Sequence, residues 1–443
     1  MLTQPQRRSQ VYDLLLLAFG MGSLLAWGEI RALGDVRQHL WVFYVWFAVA
    51  FVLYLAVLRL VSRHPRPSWM PLALILAVAI LARATLVGTT PTLSDDLYRY
   101  RWDGRVQLAG IDPYRFPPNH PALEFLRDEP FRRINFPHLR TVYPPLTELA
   151  FRLGASLSQT LTAQKCIFLA AELLTVLSLL GILRRRGRSP LWVVAYTWHP
   201  LVILEIAGSG HNDALGVAAL WLGVWAWEAR AWLGVTVGWS AAFLSKFASA
   251  VLLPWWWFRR EARGWLAACV VLAAAPLLLH WSALTALVES LSAMTTRFES
   301  NASVYLALVW LTRSTAIARV LTVALWAGFL FWWARRQSDP VRYIVGGFGA
   351  AALFSPVLHP WYLLWLIPCF CFWRVPFLIA LTGTAVLSYT VWPGYLAGRP
   401  WAMPVWAHVL EYVPVLLFGL WELSQVIPER WLVQQRVVLK RTG

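Results

Sequence analysis

PTLSDDLYRYRWDGRVQLAGIDPYRFPP, from Pro91 to Pro118, is the most polar run in a chain that is otherwise mostly apolar. Two adjacent acids, Asp95 and Asp96, are followed by Tyr98, Arg99, Tyr100, Arg101, Trp102, Asp103 and Arg105. The run starts where an apolar segment stops. Ser94 is suited to cap a helix there, and carboxylates in a first turn complement the positive end of the helix dipole. On that helix Asp95, Arg99 and Trp102 share one face, while Asp96, Tyr100 and Asp103 share its neighbour. Acids, guanidinium groups and aromatic rings are therefore gathered at a membrane edge, which reads as a reaction centre.

Working outward, the chain has 443 residues, of which 59% are hydrophobic and only 14% charged, and its mean hydropathy is +0.55. Soluble domains carry roughly 25% charged residues, so this composition excludes an ordinary soluble protein. Many apolar runs reach or approach the roughly 20 residues that cross a bilayer as a helix. The expected fold is all-α: a polytopic membrane helical bundle of roughly 13 spans, forming a single integral-membrane domain over residues 1–443.

The net charge of +17 invites a nucleic-acid reading, but the placement of the charge argues against one. Arginines close successive apolar runs, at Arg59, Arg63 and Arg66, at Arg184, Arg185, Arg186 and Arg188, at Arg259, Arg260 and Arg263, and at Arg335 and Arg336. Such clusters mark the cytoplasmic side and touch anionic lipid. Every strong cluster then falls on one side. Residues 88–160 become a long outer loop, periplasmic if the protein sits in a bacterial inner membrane. A long ordered loop between spans is usually functional. Within it, PALEFLRDEPFRRINFP is expected to lie flat on the membrane surface, and Glu148 and Arg152 to pair along one helix. Arg83 and Glu172 lie inside apolar runs and need partners within the bundle. Cys166, Cys269, Cys369 and Cys371 have no metal-site spacing and read as buried thiols.

The same topology puts Asp95, Asp96, Arg99, Asp103, His211, Asp213, Lys246, Arg297 and His359 on the outer side. Acids and bases at one face suggest acid–base work on an anionic substrate. One carboxylate beside another, at a partly dry edge, can have the basicity to take a hydroxyl proton. His211, Asn212 and Asp213 follow Gly208-Ser209-Gly210. They read either as a capped helix start or as a grip on substrate hydroxyls. Lys246 stands between two half-length apolar runs and either snorkels or binds phosphate. His359 is either interfacial or a donor-phosphate contact. Tyr98, Tyr100, Trp102 and Tyr114 offer faces for sugar rings. The chain has no Walker motif, GxGxxG or HExxH, which counts against nucleotide or zinc chemistry.

An acid pair in the first long outer loop of a many-span protein resembles the GT-C glycosyltransferases. SDDLYRYRWDGRVQLAGIDPYRFPP followed by VYPPL is similar to the polyprenol-phosphate-mannose-dependent mannosyltransferases. So are GSGHNDALG, the Ser245-Lys246-Phe247 run and FSPVLHPWYLLW. The resemblance implies inverting, metal-independent transfer of mannose from a polyprenyl-phosphate donor to a glycan or glycolipid acceptor, without a cofactor. The base would be Asp95 or Asp96, with Asp95 aligned to the first acid of the family's pair. Arg99, Lys246, Arg297 and His359 would contact the donor phosphate. A lipid-linked sugar flippase or transporter is the competing reading. It predicts two similar halves, and no clear internal repeat is visible. An oligosaccharide ligase or polymerase would carry its key residues in a late outer loop instead.

Overall fold

A computed structural model describes residues 4–63 and 69–439, with side chains over 10–63, 69–294 and 298–425. Arg66 and the side chain of Arg297 lie outside the described residues. Apolar runs of the expected length do become helices. The first three are α1 (Gln4–Ala32), α2 (Leu40–Arg63) and α3 (Trp69–Val87), with α1 packed against both others. The outer loop folds into α4 (Asp96–Leu108) and α5 (Pro145–Leu157), joined by irregular chain and 3-10 turns. Then come α6 (Leu161–Arg185), α7 (Val194–Thr197), α8 (Pro200–Val202), a π-helical turn at Ile203–Gly208, α9 (Asp213–Glu228) and α10 (Trp232–Ser245). The described residues are helical almost throughout, and their sole β pairing is an isolated bridge between Ser300 and Val357.

Among the described residues, seven helices of 19 to 25 residues are long and apolar enough to cross a membrane, and eight if Pro190–Thr197 and Pro200–Gly208, bent by 57°, form one span. The expected figure of roughly 13 counted every apolar run alike. Several of those runs are shorter here. The α10 helix has 14 residues and Pro340–Phe354 has 15, while 360–371 is two successive 3-10 turns. Pro360 and Pro368 open those turns, and proline removes a backbone donor that a continuous helix needs.

The long helices bury one stripe and expose the rest. Leu173, Leu174 and Leu177 on α6 are exposed, as are Val270 and Val271 on Arg263–Leu279 and Val320 and Val323 on Thr315–Arg336. Apolar surface repeated on this scale is what lipid covers. Inside the bundle, Arg83 on α3 forks onto Glu172 on α6 at 2.5 Å and also donates to the Thr197 carbonyl at 2.7 Å, so these two intramembrane charges satisfy each other.

The two ends of the bundle differ in chemistry. At one end Arg186 joins Glu228 at 2.5 Å and Asp339 at 2.8 Å, Arg188 donates to the Phe372 carbonyl, and Arg259 to the carbonyl of Gln337. Arginines from separate clusters thus meet at one end. Asp95, Asp96, His211, Lys246 and His359 lie at the other.

Local packing adds detail that the sequence does not give. The segment 121–137 folds across α4. Leu123, Leu126 and Ile134 pack on Tyr98, Trp102 and Val106, while Asp128 bridges Arg101 and Arg105 at 2.6 and 2.5 Å. Glu148 turns inward rather than toward the exposed Arg152, because Thr141 and Gln107 donate to it at 2.6 and 2.8 Å. Of the four thiols, Cys166 is exposed and the other three are buried.

Candidate active site

The site is built on α4, which Asp95 rather than Ser94 caps, without a side-chain capping bond; the Ser94 hydroxyl, one residue earlier, accepts from the Asp96 amide at 3.3 Å. The helix is then driven into the protein. Tyr100 stacks on Phe151 with ring centroids 4.5 Å apart, and Gly104 lets α4 touch α5, since a Cβ there would stand 2.3 Å from the Phe151 carbonyl oxygen. This packing fixes the direction in which the two leading acids point.

They point to different surroundings. Arg133 Nη2 donates to Asp95 at 2.7 Å while its Nη1 donates to the Tyr98 hydroxyl at 2.7 Å. Its guanidinium also lies 4.6 Å over the Tyr98 ring. Burial pushes the Asp95 carboxyl above the usual range, against the pull of Arg133 and Arg37. Asp96 is more open, with its side chain 29% exposed, and among the described residues no lysine or arginine side chain lies within 4 Å of it. Its carboxylate sits 3.9 Å from His211 Nδ1.

His211 is delivered by an unusual stretch of backbone. The π turn at 203–208 widens the helix, so that the Ser209 amide donates to the Leu204 carbonyl at 2.8 Å. Gly210 then adopts φ +75°, where a side chain would be strained. The His211 amide consequently reaches back to the Glu205 carbonyl at 2.9 Å. The imidazole lands over the Glu205 side chain, with Nε2 3.3 Å from Oε2. Glu205 is fully buried, and its other oxygen accepts from the Tyr389 hydroxyl at 2.7 Å.

On the far side of His211 lies Trp361. The indole is 4.0 Å from the His211 ring and 4.3 Å from the His359 ring, nearly parallel to both. Two imidazoles cannot share one indole face at those separations, so Trp361 is held between them. Burial, with His211 and Lys246 nearby, pushes His359 down to about 3, so its imidazole is neutral at physiological pH.

Asn212 and Asp213 complete the near wall. The Tyr100 hydroxyl donates to Asn212 Oδ1 at 3.2 Å. Asp213, fully buried in the first turn of α9, receives Lys246 Nζ on both oxygens at 2.7 Å and Trp365 Nε1 at 2.7 Å. Lys246 is itself 28% exposed and lies 4.9 Å over the Tyr362 ring. Its position follows from sequence: α10 ends at Ser245, and a 3-10 turn, Phe247–Leu252, takes the chain back down. That turn borders an apolar cavity of about 230 Å³ lined by Phe243, Leu253, Val270, Ala273 and Leu277. Leu253 and Val270 are also exposed on the bundle surface, so the cavity borders the lipid.

The structure thus brings together Asp96, Tyr100, His211, Asn212, Asp213, Lys246 and His359 from the expected set. It sets others apart. Arg99 grips both oxygens of Asp103 at 2.8 Å and donates to the Leu139 carbonyl, leaving only its second Nη without a hydrogen bond. Asp103 lies beside Glu148, and burial pushes both acids up, Glu148 the further because Asp103 adds repulsion. Trp102, 1% exposed, packs on Phe131. Tyr98 packs beside it, and Tyr114 donates to the Tyr143 carbonyl within a separate apolar cluster. These three rings are packing residues in this geometry: α4 turns Tyr98 and Trp102 into the loop core, and Tyr114, beyond the end of α4, packs with Leu277 and Ala283. Arg297 cannot be placed, as its side chain lies outside the described residues.

Glu205 and Trp361 are the members that sequence reasoning missed. Glu205 carried a usable signal: it is an acid inside an apolar run, six residues before His211, and such acids are functional by default.

Comparisons with known proteins add the following. A family model described as alpha-(1->6)-mannopyranosyltransferase, N-terminal domain, matches residues 14–263. That range includes α4, Glu205, His211 and Lys246 and ends before His359. The chain is 24% identical over 333 residues to alpha-(1->6)-mannopyranosyltransferase A of Mycobacterium tuberculosis. The alignment covers 65% of this chain and 63% of that relative's length. No solved structure matches the chain.

Proposed function

Since the chain belongs to the alpha-(1->6)-mannopyranosyltransferase family, we propose that it transfers mannose from a polyprenyl-phosphate donor to a hydroxyl of a glycan or glycolipid, with Asp96 as the general base. The observation that carries this is the contrast between the two leading acids. A base must first be able to reach its proton. Asp95 is occupied by Arg133, whereas Asp96 is open and faces the polar cluster around His211.

The chemistry follows from the arrangement. The acceptor hydroxyl gives its proton to Asp96 as its oxygen bonds to C1 of mannose. The bond from C1 to the phosphate oxygen breaks, and the electron pair leaves with the polyprenyl phosphate. Attack from the face opposite the leaving group inverts the anomeric centre. Lysine has three donors and Asp213 takes two of them, so Lys246 has one left for a phosphate oxygen. His359, neutral and stacked on Trp361, can donate one more hydrogen bond to that phosphate. The proposal includes metal-independent transfer, with the leaving charge met by these groups. The apolar cavity beside the Phe247–Leu252 turn suits the first isoprene units of a donor whose phosphate sits at Lys246. The arginine-rich end would face the cytoplasm, which puts the site on the outer face, the periplasmic face of a bacterial inner membrane.

The test is product analysis with the purified protein in vesicles, offered polyprenyl-phosphate mannose or glucose and a mannoside acceptor. The expected product is the acceptor heavier by one hexose, formed from the mannosyl donor. Movement of the donor across the bilayer without any such product would replace this reading with a flippase.

A further inference from the structure

The buried Glu205 and His211 play no part in the transfer as written above, yet they sit directly behind Asp96. We propose that Glu205 is a positioning residue that fixes the tautomer of His211, so that His211 Nδ1 accepts from Asp96 the proton taken from the acceptor. This rests on the reading of Asp96 as the base.

Three observations carry it. First, the geometry is linear in order: Glu205 Oε2, then His211 Nε2 at 3.3 Å, then His211 Nδ1, then Asp96 at 3.9 Å. At 3.3 Å the Glu205 carboxylate is near Nε2 without yet bonding it; a small turn of the ring brings the Nε2 proton onto Oε2 and leaves the Nδ1 lone pair facing Asp96. The second gap is longer than a hydrogen bond, and a small rotation of the Asp96 side chain closes it. Second, the side chains are almost completely buried and yet not used up. Both His211 nitrogens and Glu205 Oε2 have no hydrogen-bond partner, although buried polar atoms are nearly always paired. Third, the backbone is contorted for the purpose. A π turn and a glycine in the left-handed region together bring residues six apart into contact, and π turns recur at functional sites.

The proton balance closes. Asp96 takes the acceptor proton and passes it to His211 Nδ1, which forms an imidazolium. That cation lies against the Glu205 carboxylate and on the face of Trp361, both of which favour it. It then returns the proton to water once the product has left, and Asp96 is again ionised. The charged and titratable groups facing the imidazole are Asp96 on α4, Glu205 with Tyr389 behind it, His359 across the indole, and the Asp213–Lys246 pair.

The experiment compares wild type with Glu205→Gln and Glu205→Asp, measuring transfer from polyprenyl-phosphate mannose across pH. Removing the carboxylate takes a negative charge away from the imidazolium that forms during transfer, so the acid limb of kcat should move to lower pH. The value of kcat should fall about tenfold or more, with KM for the donor within about twofold. Glu205→Asp keeps the charge and should keep the limb where wild type has it, with part of kcat restored. A Glu205→Gln enzyme with the wild-type limb overturns the inference while leaving the transferase reading intact. So does one that loses kcat and donor affinity together with no limb shift. Nitrogen-15 spectra of the histidines report the tautomer without turnover. Protonated Nε2 on His211 in wild type supports the tautomer assignment independently of turnover, and protonated Nδ1 refutes the inference.

Discussion

Asp95→Asn is the most instructive single change, because two adjacent acids are assigned different work. In the folded protein Arg133 holds Asp95 at 2.7 Å, with side chains 14% and 29% exposed for the acid and the arginine. Asparagine keeps an oxygen in place and loses the charge. A charge-assisted hydrogen bond contributes about 1.5–3 kcal/mol and a neutral one about 0.5–1.5 kcal/mol, so the loss is about 1 kcal/mol. Burial already opposes the charge on Asp95, which trims the loss further. Arg133→Leu is the harsher change. It strands a carboxylate that is mostly buried and frees the segment that Arg133 ties to Tyr98, at a cost of about 2–3 kcal/mol. The double variant should cost less than the sum by about 1 kcal/mol, since the two residues share one interaction. Unfolding temperature in detergent measures all three, and mannosyl transfer by the same samples measures function. Asp95 takes no proton in this account, and a stability loss of this size leaves the protein folded, so Asp95→Asn should keep transfer within about tenfold of wild type. An Asp95→Asn protein with wild-type stability and no transfer would show that the roles of the two acids are reversed.

Other outcomes follow from the same geometry. Glu148 holds its proton above the ordinary glutamate range, so its contribution to stability is full at low pH and declines as pH rises toward the folded titration point. Glu148→Gln should flatten that decline in an unfolding-temperature series. Gly104→Ala places a methyl group where only 2.3 Å separates it from the Phe151 carbonyl oxygen; pushing α4 off α5 should cost about 1–3 kcal/mol in thermal unfolding. Lys246→Met removes the cation from Asp213 and from the proposed phosphate site, and kcat/KM for the mannosyl donor should drop about a hundredfold, read by steady-state transfer.

Much of this molecule is legible in its sequence, for physical reasons that can be named. Apolar runs closed by arginines specify a bundle, because neither the core nor the lipid tolerates the charge and one end must collect it. Arg83 and Glu172 are readable as charges that need partners, since a buried charge in an apolar run requires one, although the sequence does not pair them with each other. The polar segments around Asp96, His211, Lys246 and His359 stand out for the same reason in reverse. The number of spans is less legible, because hydropathy does not register the 57° bend at 198–199 or the 3-10 turns after Pro360. Helical spacing alone also misdirects. It puts Glu148 near Arg152 and offers Trp102 to a sugar, but the face of α4 that turns inward is decided by Phe151 and by the segment 121–137, both distant from it in sequence, and Glu148 is drawn inward by Thr141 and by Gln107 of α4. Glu205 is visible in the sequence as an acid in an apolar run, but the sequence does not show which residue it serves. Only the π turn, which no sequence period announces, shows that it lies under His211.

The account stands or falls on Asp96. The direct measurement is the rate of mannosyl transfer by Asp96→Asn, in vesicles, from polyprenyl-phosphate mannose to a mannoside acceptor, with donor binding measured alongside. Loss of a positioned general base should lower kcat by about 10²- to 10⁴-fold with donor affinity nearly unchanged. Transfer at the wild-type rate would contradict the assignment.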